Sequence, residues 1–131
     1  MPTKKEFSIV LPNKPGTLAD VTAALAKSKV NLLAVDASGG FEYNIVRLVP
    51  DKTGKAKTVL ARHGLDVGES NVVCVFAKDE PGALAKVASK LGRAKINIDY
   101  LYATAAKRGG DSLIVLHSAD AKKAARVLSR K

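Results

Sequence analysis

The stretch LPNKPGTLADV at 11–21 returns at 77–87 as AKDEPGALAKV. Sliding the chain by 66 residues lays Pro15, Gly16, Leu18, Ala19 and Val21 on Pro81, Gly82, Leu84, Ala85 and Val87. The register holds further out, where Leu25 meets Leu91, Lys29 meets Lys95, and Val30-Asn31-Leu32 meets Ile96-Asn97-Ile98. After two extra residues in the second copy, Ile45-Val46 meets Leu113-Ile114 and Leu48 meets Leu116. A register shared over this length marks an internal duplication, and a duplication decides the architecture before any single element does.

Each copy spells the same order of elements. Phe7–Leu11 and Val72–Ala77 are apolar runs of strand length. Behind the Pro-Gly pair, Leu18, Val21, Ala24 and Leu25, and again Leu84, Val87, Ala88 and Leu91, form a helical stripe. Proline is tolerated in a first helical turn because its missing N–H has no partner there anyway. Strands are predicted over Val30–Ala37 and Ile96–Ala103, with turns at Ser38-Gly39-Gly40 and Lys107-Arg108-Gly109-Gly110. Tyr43–Val49 and Ser112–His117 then complete hairpins, and second helices follow near Thr53–His63 and Ala119–Arg130. The first copy adds a short strand near Leu65–Gly68. This is the split βαβ order. The expected fold class is α+β: two tandem ferredoxin-like (βαββαβ) units, over residues 1–70 and 71–131, the second lacking its last strand. That gap leaves a sheet edge that needs covering.

Composition narrows the function. Apolar residues make up 47% of the 131 and aromatics only 5%, with no Trp, so the core is aliphatic and little is available to stack bases. No apolar run approaches the roughly 18 residues of a membrane span, and the apolar segment before Pro12 is too short for a secretory signal. One cysteine, Cys74, allows no intrachain disulfide, which points to the cytoplasm. The net charge of +10 divides evenly, with 10 Lys+Arg against 5 Asp+Glu in residues 1–65 and 12 against 7 in 66–131. No dedicated basic arm results, although anionic ligands are attracted.

Strand, Asn-Lys-Pro-Gly or Asp-Glu-Pro-Gly, amphipathic helix, then Lys-Val-Asn-Leu or Lys-Ile-Asn-Ile: this succession resembles the ACT domain, a small regulatory module of amino-acid metabolism. The resemblance covers nearly the whole chain twice and is most like stand-alone tandem ACT proteins. It implies a small-molecule sensor, with an amino acid held between paired ACT units beside the Pro-Gly loop, and no cofactor. It also implies a homodimer or docking on a metabolic enzyme. The residues agree with such a site. Backbone N–H groups near Gly16-Thr17 and Gly82-Ala83, behind Pro15 and Pro81, open a helix and suit a carboxylate. Asn13 or Asp79, and Asn31 or Asn97, offer acceptors to an ammonium, and Asp79 is the stronger because it is charged. Serine-binding members often carry a His two residues before the loop Asn; Leu11 and Ala77 stand there instead, which argues against serine.

Other features are read more plainly. Tyr100 and Tyr102 share one face of their strand, as core, as packing between units, or with Tyr100 as a pocket wall. Cys74 reads as a small buried hydrophobe. His63 and His117 have no companion ligands, and no hydroxyl sits in a nucleophile context, so neither a metal nor an enzyme is expected. Two rival functions remain open. One is a regulatory subunit acting by protein contact with vestigial pockets. The other is nucleic-acid binding through the stripe Lys122, Arg126 and Arg130, weakened by the lack of a K/R-G-F/Y segment.

Overall fold

The computed structural model describes residues 3–104 and 110–130. Two compact units emerge, Lys5–Ser70 and Asn71–Lys131 with Met1–Lys4. The first contains β1 (Thr3–Pro12) from Lys5 onward, α1 (Thr17–Lys27), β2 (Leu32–Gly39), β3 (Tyr43–Pro50), α2 (Thr53–Arg62) and the opening of β4 (Gly68–Lys78). The second continues along β4 through α3 (Ala83–Arg93), β5 (Tyr100–Ala103), β6 (Asp111–His117) and α4 (Ala121–Ser129). The fold is α+β, two tandem βαββαβ units, and no strand follows α4 among the described residues.

Within the first unit the strands lie in the order β2-β3-β1, and β3 is antiparallel to both neighbours. Alternation places Phe7, Ile9 and Leu11 of β1 with Val46 and Leu48 of β3 on one face, against Val21 and Leu25 of α1 and Leu60 of α2. The second unit repeats this with the order β4-β6-β5. Val73 and Val75 of β4 and Ile114 and Leu116 of β6 pack against Val87 and Leu91 of α3 and Leu128 of α4. These clusters are the 66- and 68-residue offsets seen in the sequence, realised as equivalent side chains in two cores.

The duplication extends to local strain. Lys29 and Lys95 both adopt φ 59°, one residue past the helix cap. The next residues, Val30 and Ile96, donate to the carbonyls of Leu25 and Leu91 at 3.0 and 2.9 Å. Both helices thus end in the same left-handed closure, where a lysine bears a cost of about 1 kcal/mol that glycine would avoid.

Some boundaries differ from the sequence reading. Leu65–Val67 is not strand; Leu65 and Val67 instead cover the first core, and β4 opens at Gly68. Proline is not in the first helical turn either: each helix starts after Gly16 or Gly82, which cap it at φ 90° and 87°. Strand β5 begins at Tyr100 rather than Ile96, because Asn97 and Asp99 satisfy one another locally, Nδ2 to Oδ1 at 3.2 Å. Gly110 lies in a bend, whereas Lys107, Arg108 and Gly109 of the predicted turn lie outside the described residues.

The opening of β4 is tied down by charge. Glu69 receives Lys57 of α2 at 2.6 Å and Lys5 of β1 at 3.3 Å. The Lys57 hydrogen bond, followed by that of Lys5, holds its carboxyl below the ordinary value of 4.5. A lowered acid stabilises above the unfolded value and loses that contribution as pH falls through the folded one. Glu69→Gln should therefore lower the melting temperature slightly at neutral pH, and the gap from wild type should close as the buffer is taken below pH 4.5. A constant gap across the titration would assign the loss to something other than this carboxylate.

Candidate functional site

The two Pro-Gly loops are built alike but engaged differently. Left-handed backbone at Gly16 and Gly82 turns the chain so that α1 and α3 begin with no side-chain cap. The Thr17 and Ala83 amides donate back to Lys14 O and Glu80 O, at 3.4 and 3.3 Å, and the next amides of the first turn are left to an external acceptor. In the first loop, Thr17 donates its hydroxyl to the carbonyls of Pro12 and Lys14, at 2.8 and 3.2 Å, and closes the loop on itself. Ala83, its counterpart, has no such group; its backbone N–H reaches Glu80 O at 3.3 Å.

Asn13 is consumed by the β2–β3 hairpin. Its Nδ2 donates to Phe41 O at 3.1 Å and Gly40 O at 3.4 Å, and its Oδ1 accepts from Asn44 Nδ2 at 3.3 Å. Its backbone N–H reaches Glu42 O at 2.7 Å. Asp79, by contrast, repeats only the backbone contact, N–H to Gly110 O at 3.1 Å. Its exposed carboxylate has no hydrogen bond or ion pair among the described residues. One loop uses its polar residue as a clamp, and the other holds a carboxylate in reserve.

Beside Asp79 lies a cavity of about 180 Å³. Leu101 and Ala103 of β5, Ser112 and Ile114 of β6, and Ala83 and Leu84 at the start of α3 line it. Ser112 enters because it pairs with Ala77 in the sheet, a register that no local pattern reveals. Asn44, which completes the Asn13 clamp, was hidden for the same reason. Pro15 and Pro81 stand just before the capping glycines and shape the loops without contacting the cavity.

Asn31, Asn97 and Tyr100 are elsewhere. An 11-residue helix, about 16 Å at 1.5 Å per residue, separates each Pro-Gly loop from the asparagine that follows it. Asn31 exchanges bonds with Asp51, its N–H donating to Oδ1 at 2.9 Å and its carbonyl accepting from Asp51 N at 2.9 Å. Asn97 belongs to a cluster in which Asp99 Oδ2 lies 2.9 Å from His117 Nδ1. Tyr100 stacks on His117 with ring centroids 4.9 Å apart and planes 10° apart. Leu101 faces the core, so Tyr100 and Tyr102 occupy the opposite face of β5 from the Asp79 cavity. No single unit therefore brings loop and asparagine together; within each unit the candidates fall into two sets, one at either end of its first helix.

Cys74 is fully buried in β4. The described residues contain no group of three or more His, Cys, Asp or Glu placed to hold a metal. None of the described helices is long and apolar enough to cross a membrane.

A family profile described as an ACT domain pair matches residues 2–131. Protein BT0572 from Bacteroides thetaiotaomicron superposes with a TM-score of 0.88 at 32% identity, covering 96% of this chain and 86% of its own. The ligand-free regulatory subunit of aspartate kinase from Thermus thermophilus gives 0.69 at 16% identity, over 98% of this chain and 95% of that one. The corresponding subunit from Thermus flavus gives 0.61 at 17%, over 97% and 93%. At these identities the likeness to the kinase subunits is one of fold. No curated protein matches the sequence.

Proposed function

The chain belongs to the ACT domain family, as an ACT domain pair, and from that premise we propose that it is a non-catalytic sensor binding a free amino acid at the second Pro-Gly loop. Its functional units are residues 1–70 and 71–131. The observation that carries the reading is the unpaired Asp79 carboxylate beside the 180 Å³ cavity, at the uncapped start of α3. An α-ammonium pairs with Asp79 and an α-carboxylate with the first-turn amides that follow Ala83, from Leu84 on, while the apolar wall of Leu101 and Ile114 takes an aliphatic side chain. The fold shared with aspartate kinase regulatory subunits supports a regulatory role. In the cytoplasm, a ligand held here and shared with a second copy of the chain, or with a metabolic enzyme, stabilises one assembly over another. The rival reading, regulation by contact with a vestigial pocket, is favoured only at the first loop, where Asn13 is already spent on the hairpin.

The test is a screen of the proteinogenic amino acids against the full chain by thermal shift and calorimetry. A ligand at 100 times its dissociation constant should add about 2.7 kcal/mol of stability. Asp79→Ala should weaken that ligand by roughly 10- to 100-fold, the loss of one charged hydrogen bond. At an exposed position it should move the ligand-free stability by no more than about 0.5 kcal/mol. A flat screen on folded protein rejects amino-acid sensing at this loop and leaves regulation by contact.

A further inference from the structure

We propose that the second unit holds another ligand site, for an aliphatic carboxylate without an amino group, on the opposite flank of the same loop. A cavity of about 260 Å³ opens there, a little under the range for drug-sized ligands and suited to a small metabolite. Its floor is apolar, formed by Val75, Ala77, Val87 and Leu128. Its rim carries Lys78, Lys86 and Lys90 against one acid, Glu80.

The first unit carries other residues at the equivalent positions. At the 66-residue offset, Ala77 stands where the first unit has Leu11, only 3% exposed in its core. The same offset puts Lys78 on Pro12, Lys86 on Asp20 and Lys90 on Ala24. Space and positive charge are therefore both gained at one place in the second copy.

The chemistry selects the occupant. Lys90 donates to Arg130 O at 2.6 Å and ties α4 to α3, whereas the side-chain ammonium groups of Lys78 and Lys86 have no hydrogen bond or ion pair among the described residues. Together α3 and α4 carry six Lys or Arg and no Asp or Glu, so the field over this face is positive. An anionic head is attracted and an ammonium repelled, while the floor takes a branched hydrocarbon body. The Asp79 cavity shares Ala77, Lys78, Glu80 and Ala83 with this one but has Asp79 where this one has Lys86 and Lys90, so it favours a ligand with an ammonium and this one a ligand without.

The experiment titrates the full chain by calorimetry with isocaproate and with leucine, which has the same carbon skeleton and an ammonium. Isocaproate should bind more tightly than about 1 mM. Lys86→Asp, which restores the first-copy residue at an exposed position, should weaken it at least tenfold, as expected for a lost charged contact. Ala77→Leu, filling the cavity as Leu11 does, should abolish the heat; if that variant does not fold, Lys86→Asp decides. No heat with isocaproate, an unchanged affinity in Lys86→Asp, or leucine competing equally for the same site each overturns the proposal. Ala77 lines both cavities, so the two readings are separated by Lys86→Asp and Asp79→Ala, whose residues line one cavity each; amino-acid binding is scored by leucine and the wider screen, and either reading can fail while the other stands.

Discussion

Replacing Leu91 with alanine is expected to remove about 2–5 kcal/mol from the second unit. Leu91 is completely buried, on the face of α3 that it shares with Val87 and that packs with Ile114, Leu116 and Leu128. This core holds no Phe and no Trp, so its stability rests on many small aliphatic contacts. Its β-branched neighbours have few rotamers with which to fill a vacated leucine site. At roughly 0.05–0.15 kcal/mol per residue, a unit the size of Asn71–Lys131 has little more to lose. Leu84, on the same helix but 48% exposed, supplies the control, since its truncation leaves helix propensity equally altered. Leu84→Ala should cost less than about 1.5 kcal/mol, the area term for a half-exposed side chain. Urea unfolding of both variants compares them directly. Equal losses would mean that the second core is not organised around α3 as the structure has it.

The fold was legible because duplication makes two weak readings one strong one. Leu18 and Val21 alone describe an ambiguous stripe, but the same stripe at Leu84 and Val87, behind the same Pro-Gly, fixes a helix after a strand. Element ends were less legible, since they depend on side chains that compete with the backbone. Asn97 and Asp99 bond to each other and to the His117 region, and that contest delays β5 to Tyr100. Leu65 and Val67 have strand composition, yet they serve the core from a connecting segment.

The site was legible only in part, and the reason is distance. Asn13 and Asn31 are near in sequence, but an amphipathic helix between two strands carries the chain from one end of its unit to the other. The polarity of Asn13 was visible and its role was not, because its partners come from a hairpin turn whose register with β1 sequence alone does not set. The difference between Asn13 and Asp79 was visible as one charge. In the structure it becomes a difference between a clamp and an unpaired carboxylate.

The clamp itself yields the second large effect. Gly39→Val is expected to cost about 2–4 kcal/mol, through backbone strain and overpacking together. Gly39 has φ 155°, and a β-carbon there would stand 2.7 Å from Tyr43 O and 3.0 Å from Asn44 Cα, both backbone atoms that cannot swing aside. Relief requires the end of the β2–β3 hairpin to open. Opening breaks the Gly40 N–H bond to Tyr43 O and the three side-chain bonds that hold Asn13. The cost is capped at the free energy of that local opening, so amide exchange at Asn13 and Gly40 should accelerate more than exchange in the core strands. Gly40→Ala is the control, since nothing lies within 4 Å of its β-carbon and no left-handed φ is required. An unchanged melting temperature with unchanged Asn13 protection would show that the clamp is not tight. The variant also separates the two loops. If the first is scaffold and the second the sensor, Gly39→Val loosens the first unit while amino-acid affinity at Asp79 stays within about threefold, as for sites that share no partner. If affinity falls in step with stability, the first loop belongs to the binding function, and Asn13 is more than a clamp.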